Sequence, residues 1–298
     1  MTETLCYANG EILSYSHAKF SPDDLGIVWG AIITDRLRTF GGKLFQLQEH
    51  LDRFAESSRL AKVPLALPVS ELSELSENLL AENHRRSPKP TEYSFLYLAT
   101  PGVVPPFPHG ATTMTPTLMV LVTHLDEKRV AGIHERGLRL TTTVAPLGTD
   151  PHVKHRSRLP WWVAMRSVVE AHAGSEPLYV TPGGAPAVLE TASANVAAVI
   201  GGTVVFPPTG QVLPGTAQVA VRDLCRSEGI PVADRPLAVA DLKHASEMLA
   251  MNSTYGLASV VRVDDLPFPK DGEMALRLTA AWERAYGIRL RPANHRPS

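Results

Sequence analysis

Two short segments decide how this chain is read: residues 153–159, Val-Lys-His-Arg-Ser-Arg-Leu, and residues 189–195, Leu-Glu-Thr-Ala-Ser-Ala-Asn. The first places Lys154 just before an apolar run with helical spacing. The second places Glu190 at the end of a β-like run, followed by small residues. The chain therefore holds a lysine amine and a carboxylate on two separate structural elements.

Such a pair of groups is what pyridoxal phosphate chemistry needs. The amine of Lys154 would form a Schiff base with the cofactor aldehyde, and the carboxylate of Glu190 would keep the ring nitrogen protonated, so that the ring accepts electrons. The competing interpretation is that neither residue is functional. A lysine in a basic run is usually a solvated surface charge, and a single glutamate usually caps a helix or forms an ion pair.

Length and composition are those of an ordinary globular protein with two domains. A chain of 298 residues is long for one hydrophobic core. We expect a small α/β domain over residues 1–122, a linker over 123–129, and a larger domain over 130–298 that carries Lys154. The net charge of −1 argues against a nucleic-acid partner, and no apolar run approaches the length of a membrane span.

Cysteine and histidine patterns indicate neither disulfides nor a metal site. Cys6 and Cys225 lie far apart in sequence, so we expect free buried thiols. The N-terminal residues show no secretory signal, and a reducing cytoplasm is therefore the expected compartment. His152 and His155 lie three residues apart, but a third ligand at useful spacing is missing from the sequence, so we predict no metal.

Local patterns predict an α+β fold with mixed β-sheets flanked by helices. Asn9-Gly10 between two β-like runs indicates a hairpin. Helices are predicted at residues 46–62, 69–83, 160–173, 216–227 and 272–286, and strands at 92–100, 117–123, 138–143, 178–181, 187–190, 196–200, 204–206, 248–253 and 258–263. The Pro-, Gly- and Thr-rich stretch 101–116 is predicted to be a long loop of the functional or mobile kind.

Four more motifs accompany Lys154 and Glu190 along the chain. They are Trp29-Gly30 with the strand residues Thr34, Arg36 and Arg38; Glu49-His50-Leu51-Asp52-Arg53; Leu213-Pro214-Gly215-Thr216-Ala217; and Asn252-Ser253-Thr254-Tyr255-Gly256. Together the motifs resemble the fold type IV family of pyridoxal phosphate enzymes, which includes branched-chain aminotransferases, D-amino acid aminotransferases and aminodeoxychorismate lyases. The resemblance runs from Asp24 to Val261. It implies a two-lobed fold, bound pyridoxal phosphate, and a homodimer acting on a small amino acid or oxo acid.

The resemblance assigns roles to the charged residues. It implies that Lys154 forms the Schiff base and moves the substrate α-proton, and that Glu190 pairs with the pyridinium nitrogen. It implies that Arg53 binds the cofactor phosphate, which suits a guanidinium because its fork matches phosphate oxygens. Asn195 is expected to be mostly structural and to hold the turn after Glu190.

The resemblance also implies a phosphate site at a helix start. The backbone amides at Gly215, Thr216 and Ala217 would point at the phosphate from a helix N-terminus. The family threonine falls on Ala217 in this chain, so the backbone rather than that hydroxyl is expected to serve. Ser253 or Thr254 would lie near the cofactor or the substrate.

One strand face is implied to line the substrate pocket. Alternate residues of a strand share a face, so Thr34, Arg36 and Arg38 would lie there, near Trp29. Two arginines favour a substrate with an extra carboxylate. The alternative, equally open at this point, is that they pair with acids on the Asp35 side at a dimer interface.

We predict a class IV aminotransferase that moves an amino group between an amino acid and a 2-oxo acid. Aminodeoxychorismate lyase is the alternative, favoured by Lys-His-x-x-Arg-Leu at 154–159 and Asn-Ser-x-x-Gly at 252–256, whereas Thr254 fits branched-chain aminotransferases. D-amino acid aminotransferases carry Arg-Gly where this chain has Pro101-Gly102, which argues against that specificity. A third alternative is a scaffold that binds no cofactor. The joint presence of Lys154, Glu190 and Arg53 argues against it.

Overall fold

The computed structural model describes residues 3–89, 91–103, 115–146, 148 and 150–290. The chain divides into two compact units. Unit 1 consists of Met1–Leu125 and Val153–Arg158, and unit 2 of Asp126–His152 and Leu159–Ser298. Both units combine helices with strands, which confirms the predicted α+β class.

Unit 1 is built on an antiparallel sheet, in which six described strands follow the order β2-β1-β6-β5-β3-β4. The strands are β1 (Leu5–Ala8), β2 (Glu11–Ser14), β3 (Ile33–Phe40), β4 (Lys43–Leu44), β5 (Tyr93–Val103) and β6 (Thr115–His124). The helices are α1 (Leu25–Val28), α2 (Leu47–Ala61) and α3 (Val69–Arg86), with a 3-10 turn at Tyr15–His17. Leu51 and Phe54 of α2 and Leu72 and Leu79 of α3 are wholly buried in the core of this unit.

Local sequence explains the first elements of unit 1. Asn9 and Gly10 both have positive φ, as a tight turn between β1 and β2 requires, so the predicted hairpin is confirmed. The predicted helix over 46–62 is confirmed as α2. The helix α3 continues to Arg86, past its predicted end, and its last turn is basic, which suits the negative end of the helix dipole.

Unit 2 is built on a mixed sheet, in which nine described strands follow the path β12-β11-β10-β13-β14-β7-β8-β9, with β15 beside β14. The strands are β7 (Leu138–Val144), β8 (Glu176–Val180), β9 (Val188–Thr191), β10 (Asn195–Ile200), β11 (Thr203–Phe206), β12 (Val232–Asp234), β13 (Glu247–Asn252), β14 (Gly256–Val263) and β15 (Leu266–Pro267). The helices are α4 (Glu127–Arg136), α5 (Leu159–Ala171), α6 (Thr216–Ser227) and α7 (Glu273–Tyr286), with 3-10 turns at Thr209–Gln211 and Val239–His244. Because β9 also pairs with β10, the path from β10 round to β9 closes on itself.

The boundary between the units falls after Leu125, within the predicted linker over residues 123–129, but that segment is not a simple linker. Asp126 caps α4, since its Oδ1 accepts a hydrogen bond from the backbone N–H of Arg129 at 3.0 Å, so a helix begins where residues 123–129 were expected to link domains. The segment with Lys154 also belongs to unit 1 rather than to a continuous C-terminal domain. The reason is backbone pairing: the N–H of Thr34 donates to the Lys154 carbonyl at 2.8 Å, which adds this segment to the sheet beside β3.

The predicted loop over 101–116 is shorter than expected. Residues 101–103 extend β5, and residues 115–116 begin β6. Residues 104–114 lie outside the described part of the chain. Within β5, Gly102 has positive φ, and a Cβ there would lie 1.7 Å from the carbonyl oxygen of Thr115, so the close approach of β5 and β6 requires glycine.

Cys6 and Cys225 are buried free thiols, as predicted. Among the helices of the described residues, none is long and apolar enough to cross a bilayer.

Candidate active site

A hydrogen-bonded network in unit 2 holds Glu190 beside the start of α6. Glu190 in β9 lies directly opposite Asn195 in β10. Its Oε2 accepts hydrogen bonds from the backbone N–H of Leu213 at 3.1 Å and from Nδ2 of Asn195 at 3.3 Å. The same Nδ2 donates to the carbonyl of Leu213 at 2.9 Å. The carboxylate is therefore fixed by the segment that leads into α6, and Asn195 positions it.

The start of α6 has the features of an anion site. Gly215 is its N-cap and provides no side-chain hydrogen bond to the first turn. The backbone N–H of Val219 donates to the Gly215 carbonyl at 3.0 Å, so the amides of residues 216–218 precede the hydrogen-bond ladder of the helix. A Cβ on Gly215 would lie 1.9 Å from Oδ1 of Asn195, so this close approach requires glycine. Amides at a helix start, together with the helix dipole, attract anions.

A second segment brings a hydroxyl to the same helix start. Oγ of Ser253 lies 3.3 Å from Oγ1 of Thr216. The turn after Ser253 is held by Asn252, whose Oδ1 accepts a hydrogen bond from the backbone N–H of Thr254 at 2.9 Å. Ala217 is buried in the first turn of α6. The structure thus brings Thr216 and Ser253 into contact and places Thr254 in the adjoining turn.

These features fit the groups of pyridoxal phosphate. A phosphate is an anion, and the uncapped start of α6 offers amides and a hydroxyl to it. A protonated pyridine nitrogen needs a carboxylate, and Glu190 supplies one on the same network. Gly215 leaves room for the Asn195 amide that positions Glu190.

In unit 1, Lys154 lies on a short extended segment whose backbone is fixed on both sides. Its N–H donates to Oγ of Ser57 on α2 at 3.1 Å, and its carbonyl accepts from the N–H of Thr34 at 2.8 Å. Val153 is buried in the core. The Lys154 side chain is half-buried, and its charge is among those that lower the pKa of the buried His50.

Arg53 belongs to a buried network of charged groups. Its Nε and Nη2 donate to both carboxylate oxygens of Asp35 at 2.8 Å each, and Nδ1 of His50 lies 2.7 Å from Oδ1 of Asp35. Burial raises the pKa of Asp35, but Arg53 and His50 outweigh burial and hold that pKa below its usual range. Burial, together with the charges of Arg53 and Lys154, lowers the pKa of His50 despite the opposing effect of Asp35, so the ring is neutral and donates from Nδ1 to the carboxylate. The network fixes the direction of the guanidinium that is predicted to bind phosphate.

The four predicted pocket residues divide into two pairs. Trp29 is 70% exposed at the end of α1, and Arg36 is exposed in β3. Thr34 is buried, and its Oγ1 donates to a backbone carbonyl of β5 at 2.9 Å. Arg38 is also buried, and its guanidinium carbon lies 3.8 Å from the ring centroid of Phe40. Only Trp29 and Arg36 of these four present exposed side chains.

Sequence reasoning missed Asp35 and the bridging role of Asn195. The sequence did hold a signal for Asp35. It is an acid within the strand Ile33–Phe40, and His50 and Arg53, which could pair with an acid, lie three residues apart on one helix face. The reach of Asn195 to Leu213 had no such signal, since it depends on how distant segments pack. Within the residues described, His, Cys, Asp and Glu nowhere gather in threes as a metal site.

Comparison with known proteins identifies the family. The family model described as amino-transferase class IV matches residues 33–263, and the chain belongs to this family. Class IV aminotransferases depend on pyridoxal phosphate, so the chain is a pyridoxal phosphate-dependent enzyme of fold type IV.

A relative and two solved structures illustrate the similarity. D-alanine aminotransferase from Staphylococcus haemolyticus is 26% identical over 264 residues, which cover 88% of this chain and 89% of that protein. Branched-chain amino acid aminotransferase from Escherichia coli matches with a TM-score of 0.83 at 18% identity, over 98% of this chain and 97% of that one. A hypothetical aminotransferase from Mycobacterium tuberculosis, in its PLP-bound form, matches with a TM-score of 0.78 at 23% identity. The match covers 93% of this chain and 98% of that one.

The buried network predicts a large loss of stability for Asp35→Asn. The variant leaves the buried guanidinium of Arg53 without its counter-charge, so we expect a loss of about 3–5 kcal/mol in the free energy of unfolding at neutral pH. Since the pKa of Asp35 is lower in the folded state than in the unfolded state, its contribution is present above the unfolded value and is lost as the pH falls below about 4. Urea unfolding across this range measures the effect.

The matched control is Asp52→Asn, an exposed acid on α2. It should change the free energy of unfolding little. Equal stability of the two variants at neutral pH would contradict the inferred role of Asp35.

The cradle at α6 predicts a cofactor-binding defect for Gly215→Ala. The new Cβ would displace Asn195 and with it Glu190. We expect pyridoxal phosphate to bind at least about tenfold more weakly, which corresponds to the loss of one hydrogen bond to a charged group. Absorbance titration of cofactor-free protein measures this. Gly210→Ala is the control, because a Cβ there meets nothing within 4 Å; equal affinities of the two variants would refute the prediction.

Proposed function

We propose that the protein is an aminotransferase that moves an amino group between an amino acid and a 2-oxo acid. The observation that supports this most directly is the unit 2 network. There, Asn195 and Leu213 fix the carboxylate of Glu190 beside the uncapped start of α6. This arrangement combines a partner for a protonated ring nitrogen with a site for a phosphate.

We propose further which residues hold the cofactor. Lys154 is the amine that binds it covalently, Glu190 faces its ring nitrogen, and the phosphate is held by Arg53, Gly215, Thr216, Ala217 and Ser253, with Thr254 close by. When bound, pyridoxal phosphate acts as an electron sink that stabilises negative charge on the substrate α-carbon.

Lys154 is also proposed as the base. With cofactor and substrate bound, Nζ of Lys154 would take the proton from the substrate α-carbon. Ser57 and Thr34 hold the backbone of Lys154 from both sides, so Nζ moves from a fixed point. Addition of water would then release the oxo acid and leave the amino group with the enzyme, and an acceptor 2-oxo acid would take up that amino group with loss of water.

Acceptor dependence tests the proposal. Purified protein with pyridoxal phosphate is given a panel of amino acids, with and without a 2-oxo acid. We expect a new amino acid only when the acceptor is present, and no turnover by Lys154→Ala. The panel includes both enantiomers, because the D-alanine aminotransferase relative and Pro101 point to opposite preferences.

The same assay addresses the lyase, which the motifs at 154–159 and 252–256 favour. Release of pyruvate from aminodeoxychorismate without an acceptor would contradict the aminotransferase and assign the lyase. Absence of both reactions, together with no absorbance from bound cofactor, would leave only a scaffold.

We propose that the protein works as a homodimer. The helix α5 is rich in apolar residues, yet Leu159, Trp162 and Val163 are 73%, 54% and 56% exposed. Adjacent exposed apolar side chains are typical of a surface that a partner covers. Sedimentation at the mass of a monomer would contradict this.

We also propose a reducing, cytoplasmic compartment. The two cysteines are buried free thiols, and burial raises the pKa of the Cys225 thiol to about 11, so it is chemically inert. A secreted form in culture medium, detected by immunoblotting of fractionated cells, would contradict this.

A further inference from the structure

A cavity of about 220 Å³ lies in unit 1, between the start of β1, the end of α3 and the ends of β5 and β6. Tyr93 is in its wall, and the N–H of Tyr93 donates to Oγ1 of Thr39, near the end of β3, at 2.8 Å. Lys154 pairs instead with Thr34, near the start of β3. The stretch of strand from Thr34 to Thr39 spans roughly 16 Å. The cavity is therefore separate from the lysine that is proposed to bind the cofactor.

Polar groups in the wall of this cavity are already hydrogen-bonded within unit 1. The Tyr93 hydroxyl donates to the Asn83 carbonyl at 3.0 Å. The Asn83 side chain accepts from the N–H of Leu5 at 2.8 Å and donates to the Leu5 carbonyl at 3.0 Å. The Thr4 hydroxyl donates to the Val122 carbonyl. The wall therefore offers a ligand mainly carbon surface.

The size and shape of the interior suit a six-membered ring. The rings of Tyr93 and His124 in the wall have centroids 5.4 Å apart and planes inclined at 31°. An apolar protein cavity of about 150 Å³ is large enough for benzene. A cavity of about 220 Å³ therefore holds a phenyl-sized group together with the short chain that attaches it.

Two cations lie at the mouth of the cavity. Arg86 and Lys89 line it and are exposed, so their charged ends lie at the mouth rather than at the floor. Neither side chain forms an ion pair or a hydrogen bond with a residue that the structure describes, whereas the preceding Arg85 is paired with Glu82. A guanidinium and an ammonium side by side suit a carboxylate, whose two oxygens accept from both.

Glu3 brings the opposite charge to the same mouth. It also lines the cavity and is exposed, and its Oε1 accepts a hydrogen bond from the N–H of Ser16 at 2.7 Å. It forms no ion pair with the described residues. Because an ionised carboxylate accepts about four hydrogen bonds, Glu3 can also accept from an ammonium group. The mouth thus presents both signs of charge around an apolar interior.

We propose that this cavity is a second small-molecule site, which binds a free amino acid with a phenyl-sized apolar side chain. The side chain enters the cavity, the α-carboxylate binds Arg86 and Lys89, and the α-ammonium group binds Glu3. A simple acid meets the repulsion of Glu3, and a simple amine meets that of the two cations, so a zwitterion fits the charges best. The site goes beyond the proposed amino transfer, because none of these residues takes part in it.

Four compounds test which groups the cavity recognises. The cofactor-loaded protein is first reduced with borohydride, so that its cofactor cannot exchange with amino acids, and binding is measured by isothermal titration calorimetry. L-Phenylalanine should bind at least about tenfold more tightly than L-alanine, which lacks the ring. Phenethylamine lacks the carboxylate and 3-phenylpropanoate lacks the ammonium group, so each should bind at least about threefold more weakly than L-phenylalanine.

Two substitutions test the individual contacts. Arg86→Gln should weaken L-phenylalanine at least about threefold and should not weaken phenethylamine, which has no carboxylate to lose. Glu3→Gln should weaken L-phenylalanine to a similar extent and should not weaken 3-phenylpropanoate, which has no ammonium group. The two variants therefore give opposite patterns with the two single-charge compounds.

Arg85→Gln is the matched control, because Arg85 is exposed on the same turn of α3 but does not line the cavity. It should keep the affinity of the unaltered protein for L-phenylalanine. Absence of L-phenylalanine binding to the reduced protein would overturn the proposal. So would binding that neither Arg86→Gln nor Glu3→Gln weakens, or equal losses in Arg85→Gln and Arg86→Gln.

Discussion

The pairing of Glu190 with Asn195 joins the fold of unit 2 to its chemistry. It links β9 to β10 and closes the strand path. The Asn195 amide also reaches the carbonyl of Leu213, while the N–H of Leu213 reaches Glu190. Each bond contributes about 1 kcal/mol net, but loss of one partner leaves a partly buried polar group unsatisfied. The carboxylate and the helix start are therefore held by one set of bonds, and neither moves without the other.

In unit 1, the guanidinium of Arg53 is buried and is held in one orientation. Arg53 and Asp35 form a bidentate pair with His50 as a third member. Burying such groups is costly unless every one is hydrogen-bonded, and here both carboxylate oxygens are engaged. The charge of Lys154 acts on His50, so the network lies near the amine that is proposed to bind the cofactor.

Elements set by local sequence were predictable, and those set by distant pairing were not. The hairpin at Asn9-Gly10 and the helices α2 and α6 follow from turn residues and apolar spacing within a short window. The helix α4 was missed because few of its residues are buried, although Asp126 before it and Gly137 after it are ordinary boundary residues. The place of Lys154 in unit 1 depends on pairing with Thr34, about 120 residues away, which no local pattern encodes.

The site shows the same division between local motif and distant contact. Resemblance named Glu190, Thr216 and Ser253 one at a time, and the structure shows the bonds and contacts that each of them makes. The sequence showed Arg156 only as part of a basic run, because its place beside Ile32 arises when two distant segments pair.

Borohydride reduction followed by peptide mass mapping tests the central claim most directly. Reduction of the protein loaded with pyridoxal phosphate makes the bond between cofactor and amine permanent, so the modified lysine is identified by mass. The account predicts one cofactor per chain, on Lys154, and no incorporation in Lys154→Ala. Modification of another lysine, or equal incorporation in the alanine variant, would contradict it.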